Sequence, residues 1–172
     1  MKNVLASFLF FAFSCHTFSS TKLNFIQEQD SLQYYASIVN KPASTLSLAK
    51  AYQFFNKQKD ASLKSHDTMK AIGHLRQLAI IQHELGDYYG CETNIVLALK
   101  LLDGLKVSEV TNESKVGLYN QLGRVNMILL NYDNALNYYN KGLKLTKLPT
   151  YINIIQNNMA LVYMEQLNFE RA

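Results

Sequence analysis

The sequence has no tryptophan, two prolines and seven glycines in 172 residues. So few chain breakers exclude a loop-rich all-β protein and suit long helices. Charge of one sign is not concentrated: the formal net charge is +4. The densest basic stretch, Lys57, Lys59 and Lys64, is interrupted by Asp60 and reads as a solvated helix face. A nucleic-acid partner needs a basic stripe on one face, so none is expected. Signatures of chemistry are also missing. His83-Glu84 lacks a second histidine four residues after the first, so it is not a zinc-protease motif. His66, His74 and His83 are too far apart to collect a metal on one helical face. Ser65-His66-Asp67 is consecutive, whereas catalytic triads join separated segments. No phosphate-binding glycine loop occurs, and Cys91 sits at a helix-packing position. The expectation is a protein that is not an enzyme, with no catalytic residue, no cofactor and no metal.

What is present is apolar periodicity. Apolar residues make up 48% of the chain, with 11 Tyr and 9 Phe, enough to bury a core. Small residues precede large apolar ones by four positions: Ala51 and Phe55, Cys91 and Ile95, Ala135 and Tyr139. Ala172 is a fourth small residue. The small residues recur at roughly 40-residue steps, the period of stacked helical hairpins. The fold class read from this is all-α.

A short helix is expected through Leu32, Tyr35, Ile38 and Val39 with Asp30 as N-cap. A long one follows Pro42, with Leu46, Leu48, Ala49, Tyr52 and Phe55 on its apolar face, ending near His66. Asp67 starts the next helix, and Gly86-Asp87 turns it into a partner running to about Leu105. A loop of about eight residues, Lys106 to Glu113, precedes a helix bearing Leu118, Leu122 and Val125. Asn131-Tyr132-Asp133 repeats the turn. Pro149 is read as the stop of the helix through Tyr139. The last helix carries Ile154, Ile155, Met159 and Val162, and Asn168-Phe169 is read as one more turn.

The first twenty residues differ. Lys2, an apolar run from Val4 to Phe13 and a small-residue exit have the three parts of a signal peptide. The run is too short to span a bilayer of roughly 30 Å. Ala12-Phe13-Ser14-Cys15 partly resembles a lipobox, so Cys15 is a candidate lipidation site. Either cleavage or lipidation leaves Cys91 without a disulfide partner. The expected organisation is a signal peptide over 1–20, N-terminal helices with a degenerate leading repeat over 21–66, and a repeat array over 67–172 whose last repeat is incomplete. The chain is expected to continue beyond Ala172.

Residues 116–149 resemble a tetratricopeptide repeat, through Tyr119, Leu122-Gly123, Ala135, Tyr139, Gly142 and Pro149. Asn126 departs from the motif, which prefers tyrosine there, and Pro149 falls about two residues late. Leu75, Leu78-Ala79, Gly86, Tyr88, Cys91, Ile95 and Ala98 repeat the pattern earlier. Met159-Ala160, Tyr163, Phe169 and Ala172 repeat it later. The resemblance implies a right-handed α-solenoid of antiparallel helical hairpins, with these residues at its packing positions.

The arrangement, with Asp30-Ser31-Leu32-Gln33-Tyr34-Tyr35 and Gly117-Leu118-Tyr119-Asn120-Gln121-Leu122-Gly123, also resembles exported N-terminal regions of tetratricopeptide proteins in Bacteroidetes. That implies a periplasmic location and the sensor or scaffold part of a longer signalling protein, with a membrane helix and a kinase or DNA-binding module downstream. The alternatives are an exported lipoprotein scaffold without output, or an accessory domain of a larger enzyme. Membrane attachment is expected only through the signal peptide, a lipid anchor or a downstream segment.

In such arrays the first helix of each hairpin lines a concave face. The resemblance places Arg76, Ile80, His83, Asn120, Arg124, Met127, Asn157, Leu161 and Met164 there. A protein or peptide is the expected ligand. Arg76 and Arg124 can hold a carboxylate through paired N–H donors, and Asn120 and Asn157 can clamp a peptide backbone.

Overall fold

The computed structural model describes residues 29–39 and 44–170. Cys15, the segment 1–20 read as a signal peptide, and Ala172 lie outside the described residues. Among these residues the regular structure is entirely helical, with seven helices and no strand. The chain divides into two compact units, residues 1–43 and 44–172.

In the first unit, residues 29–39 form helix α1. Asp30, expected as its cap, already lies inside the helix. The Tyr34 and Tyr35 rings meet edge to face at 5.1 Å.

The second unit contains α2 (Thr45–Lys64), α3 (Thr68–Glu84), α4 (Tyr88–Asp103), α5 (Glu109–Ile128), α6 (Tyr132–Leu143) and α7 (Pro149–Glu170). None of the described helices is long and apolar enough to cross a membrane. Helix α2 starts at Ser44, whose hydroxyl accepts from the Ser47 N–H at 3.2 Å. Its buried stripe is Leu48, Ala51 and Phe55. Leu46 and Ala49, expected on that stripe, are exposed. The face is set by the 3.6-residue period through Ala51, and both fall off it.

Three of the turns are one device used three times. His66, Gly86 and Leu130 have φ of 58°, 77° and 60°. At each, the left-handed residue donates its N–H to a carbonyl three residues back, at 3.2, 3.1 and 3.0 Å. The next residue donates five back: Asp67 to Ser62 at 2.9 Å, Asp87 to Gln82 at 2.8 Å and Asn131 to Asn126 at 2.8 Å. This is the Schellman pattern, which closes the orphan carbonyls of a helix end. Asp67, Asp87 and Asn131 are at the same time the N-caps of the following helices. One residue therefore ends one helix and begins the next, which forces an abrupt reversal. Ser65-His66-Asp67 is thus a turn: an Asp67 carboxylate oxygen accepts from the Lys70 N–H at 3.2 Å. The Lys70 side chain and N–H together hold the Asp67 carboxyl below its usual range.

Each helix of this unit packs on the next, and α5 also reaches α7. One buried cluster joins α3, α4 and α5 through Leu75, Ala79, Cys91, Ile95, Ala98, Leu102, Leu118 and Leu122. Leu78 is also buried. A second cluster joins α5, α6 and α7 through Val116, Ala135, Tyr139, Ile155 and Val162. Helix α5 feeds both, so it is apolar on two sides, as a helix with neighbours on both flanks must be. The architecture is helical and repeat-like.

Small residues mark the closest approaches. A Cβ on Gly123 would lie 2.6 Å from Cδ1 and Cζ of Tyr139, whose ring is fully buried. A Cβ on Gly142 would lie 3.1 Å from Ile155 Cδ1. Tyr119 is half-buried and stacks on Tyr138 with ring centroids 6.4 Å apart. Lys141 Nζ lies 5.2 Å from the Tyr138 ring centre, a cation–π arrangement.

Several expectations are corrected. Helix α5 begins at Glu109, so the long loop shrinks to residues 104–108. Ser108 caps the helix, with Thr111 completing the reciprocal pair of hydrogen bonds that Glu or Gln usually makes. Pro149 opens α7 rather than stopping α6, since a first helical position needs no N–H. Helix α7 runs on to Glu170 through the expected turn at Asn168-Phe169. Leu167 stands where Leu130 does in α5, and Leu130 adopts the left-handed conformation there, so residue type at this position does not explain why α7 runs on. Ala160 and Tyr163, assigned to repeat packing, are exposed. Their counterparts in α5, Gly123 and Asn126, are covered by α6, and no described helix follows α7 to cover these two.

Candidate functional site

The exposed stripes of α3, α5 and α7 occupy equivalent positions in the turn register. Counting from the turns, Arg76 matches Asn120 and Ile80 matches Arg124; aligning Met159-Ala160 with Leu122-Gly123 sets Asn157 and Leu161 at the same places in α7. Arg76, Arg124, Asn157 and Leu161 are exposed, and Ile80 is half-buried. Among the described residues neither Arg76 nor Arg124 makes an ion pair. Both guanidinium groups therefore retain all five donors for a ligand.

Of the other assigned residues, His83, Met127 and Asn120 are engaged within the fold. The His83 ring is mostly buried and meets Tyr88 edge to face at 5.8 Å, while its Nδ1 lies 3.3 Å from Glu84. Met127 packs against the second buried cluster. Asn120 accepts a 2.8 Å hydrogen bond from Asn158 Nδ2, which ties α5 to α7. Met164 is exposed. The helical period separates inside from outside, but it does not separate a ligand face from the flank that meets the next helix. His83, Met127 and Asn120 lie on that boundary.

Polar groups missed by the sequence reading sit beneath this surface. Gln82 donates to Asp87 Oδ2 at 2.7 Å and accepts from Asn94 Nδ2 at 2.5 Å. Asp87 Oδ1 accepts from the Gly90 N–H at 2.9 Å. A Cβ on Gly90 would overlap Gln82 Nε2 and Asp87 Oδ2, so any larger residue there must push these two side-chain ends aside. Gln82 and Asn126 hold the same place, two residues before the last residue of their helices. Asn126 is buried and donates to the Leu122 carbonyl at 2.9 Å. The signal for this pair was available in Asn126, the departure from the tyrosine of the motif.

Cys91 is fully buried, and Gln121 Nε2 approaches its sulfur at 3.9 Å. Burial, reinforced by the Asp87 carboxylate and opposed by Arg124, pushes the thiol up to about 12. A thiol of that kind is not a nucleophile at neutral pH. Burial also pushes the Tyr139 hydroxyl up to about 12, again opposed by Arg124.

Among the described residues no cluster of His, Cys, Asp and Glu is placed to hold a metal ion. A cleft of about 400 Å³ lies between the start of α6 and Gln166 of α7, lined by Leu130, Asn131, Tyr132, Asp133 and Asn134. None of the residues assigned to ligand binding lines it.

In comparison with known proteins, no family model and no curated protein matches this chain.

Proposed function

We propose that this chain is a right-handed α-solenoid of tetratricopeptide type that binds a peptide or protein segment along its α3–α5–α7 side. The observation that carries the reading is a register shared by two consecutive hairpins. Each has the same left-handed turn and N-cap position, a small residue three positions into the second helix (Cys91, Ala135) and a large one four further on (Ile95, Tyr139). Each hairpin then contacts mainly its neighbours, and the exposed stripes of alternate helices line up into one surface.

The chemistry of that surface selects the ligand. Arg76 and Arg124 are exposed and unpaired, with the apolar Ile80 and Leu161 in the same register. Such a surface takes an extended segment that carries carboxylates and intervening apolar side chains. The test is a fluorescence-anisotropy titration with a labelled acidic octapeptide alternating Glu and Leu. Replacing both arginines by Ala removes two charge-assisted contacts of about 1.5–3 kcal/mol each. The affinity is expected to fall at least about ten-fold with an unchanged melting temperature. An unchanged affinity rejects the face.

The compartment proposed is outside the cytoplasmic membrane, as the sensor or scaffold part of an exported bacterial protein. Lys2, the apolar run from Val4 to Phe13 and the small-residue exit support this. Mass spectrometry of the mature N-terminus tests it. A start at Ser20 or Thr21 means cleavage, a lipidated Cys15 means anchoring, and an intact Met1 rejects export.

A further inference from the structure

We propose that the two turn-bearing ends of the α2–α7 unit are complementary, so that one end of this chain docks on the opposite end of a second copy. These ends are separate from the arginine-bearing face.

Successive helices reverse direction, so their connections fall alternately at two ends. The His66 turn and the loops over 104–108 and 144–148 lie at the first end. The turns at Gly86 and Leu130 and the last residues of α7 lie at the second. Each end therefore gathers three helix C-termini. Helix dipoles favour cations at every C-terminus, and so equally at both ends. The chain does not follow that rule. The last turns of α2, α4 and α6 carry Lys64, Lys100 and Lys141. Those of α3, α5 and α7 carry no lysine or arginine, and α3 ends on Glu84 against its own dipole.

The segregation extends beyond the last turns. No lysine or arginine occurs over 77–99, 125–140 or 148–170. The second end thus presents Glu84, Asp87, Asp133 and Glu165, all exposed, with no lysine or arginine among them. The first end has Lys64, Lys100, Lys106, Lys144 and Lys147, all exposed and none in an ion pair among the described residues. Its Asp67 and Asp103 are matched by Lys70 at 3.0 Å and Lys115 at 2.6 Å. Glu109 and Glu113 are the opposing charges that remain. Apolar side chains stand among these charges: Val107 and Val110 at the first end, Leu85 and Leu130 at the second, all exposed. An apolar centre inside a charged rim suits a protein interface. A polyanion would fit the first end alone, whereas a second copy satisfies both.

The size of the contact sets its strength. With axes about 8–10 Å apart, six helix ends cover roughly 400–600 Å² on each copy. Two such surfaces lie at the low end for specific interfaces. The contact is therefore weak, steered by charge and sensitive to salt. First end to second end is a heterologous contact, which continues into a ring or an open chain of copies.

Sedimentation velocity of the chain at concentrations up to about 1 mM tests this. It is run at about 0.01 M and about 1 M salt, where the Debye length is about 30 Å and about 3 Å. Association that grows with concentration at low salt is expected, at least about ten-fold weaker at high salt. Two variants assign the surfaces. Lys106→Glu with Lys147→Glu reverses the first end at two loop positions. Glu84→Lys with Glu165→Lys reverses the second in the sense that helix dipoles favour. Each variant alone is expected to be monomeric at low salt. An equimolar mixture is expected to associate again, because the acidic second end of one meets the basic first end of the other. Thermal unfolding of each variant separates loss of fold from loss of contact, and the salt dependence of the unaltered chain depends on neither. A chain that stays monomeric at low salt overturns the proposal. So does association that persists in either folded variant alone, or that mixing the two does not restore.

Discussion

Replacing Gly123 with Ala isolates the steric core of the hairpin, and the same helix supplies its control. Ala is better than Gly in a helix interior by about 1 kcal/mol. At Gly117, two turns earlier in α5, an added Cβ meets nothing within 4 Å. Gly117→Ala should therefore stabilise the chain by about that amount. At Gly123 the same methyl lies 2.6 Å from two carbons of the Tyr139 ring, whereas carbon atoms pack at about 3.5–4.0 Å. The ring must retreat by roughly 1 Å to restore that spacing. It has no exposed surface, and Ile155 and Val162 belong to the same cluster. Overpacking of this kind costs about 1–3 kcal/mol. The propensity gain is common to both substitutions and cancels in their difference. Gly123→Ala should thus lie about 1–3 kcal/mol below Gly117→Ala in urea titrations with equal slopes. Placing Tyr139→Leu in the Gly123→Ala background should cost less than in the original chain. Equal stabilisation by both alanines would refute the close approach of α5 and α6, and with it the hairpin register.

Leu130→Gly should raise the melting temperature, because Leu130 is exposed at φ 60° and relief of about 1–2 kcal/mol exceeds the added freedom of the unfolded chain; thermal unfolding checks this. Gly90→Ala should cost less than Gly123→Ala, because its methyl meets the ends of the flexible Gln82 and Asp87 side chains and not a buried ring; urea titration of both variants checks this. Tyr139→Phe should leave stability unchanged or improved, because the buried hydroxyl has no hydrogen-bond partner. Both the Cys91 thiol and the Tyr139 hydroxyl are raised in the folded chain, the first from 9.0 and the second from 10.0, each to about 12. The folded chain then holds more protons than the unfolded one above pH 9. Stability is expected to be flat with respect to these groups below that pH and to fall as pH climbs toward 12. Cys91→Ala with Tyr139→Phe should flatten this part of the alkaline limb.

The fold was legible where local chemistry and packing agree. Gly86-Asp87 announces its turn because glycine enters the left-handed region freely and aspartate caps. The turns at His66 and Leu130 use the same backbone with residues that do not advertise it, so only their following caps, Asp67 and Asn131, could be read. The Asn168-Phe169 turn was read from the same spacing and does not form, and Leu130 shows that a leucine at this position does not by itself prevent it. Pro149 is ambiguous in any sequence, because it suits the position after one helix and the first position of the next. The packing residues Leu78, Cys91, Leu122, Gly123, Ala135 and Tyr139 were readable from their spacing. Ala160 and Tyr163 share that spacing and are still exposed, since periodicity reports a face and not whether a neighbour covers it. The candidate ligand face was half legible. Arg76 and Arg124 are open, while His83, Met127 and Asn120 are held by Tyr88, the buried cluster and Asn158. A Gln82–Asn94 bridge joins two helices through amides, and no spacing rule reveals which amides meet.

The central claim is that the hairpins from α3 to α7 advance in one direction and do not close around a common core. Spin labels on Arg76→Cys, Arg124→Cys and Leu161→Cys, combined in pairs, test it by dipolar distance measurement. All three positions are exposed, and the native Cys91 is buried. Adjacent helices pack at about 8–10 Å between axes. The account predicts that the α3–α7 pair is longer than both the α3–α5 and α5–α7 pairs. An α3–α7 distance as short as the other two would mean a closed bundle and would contradict it.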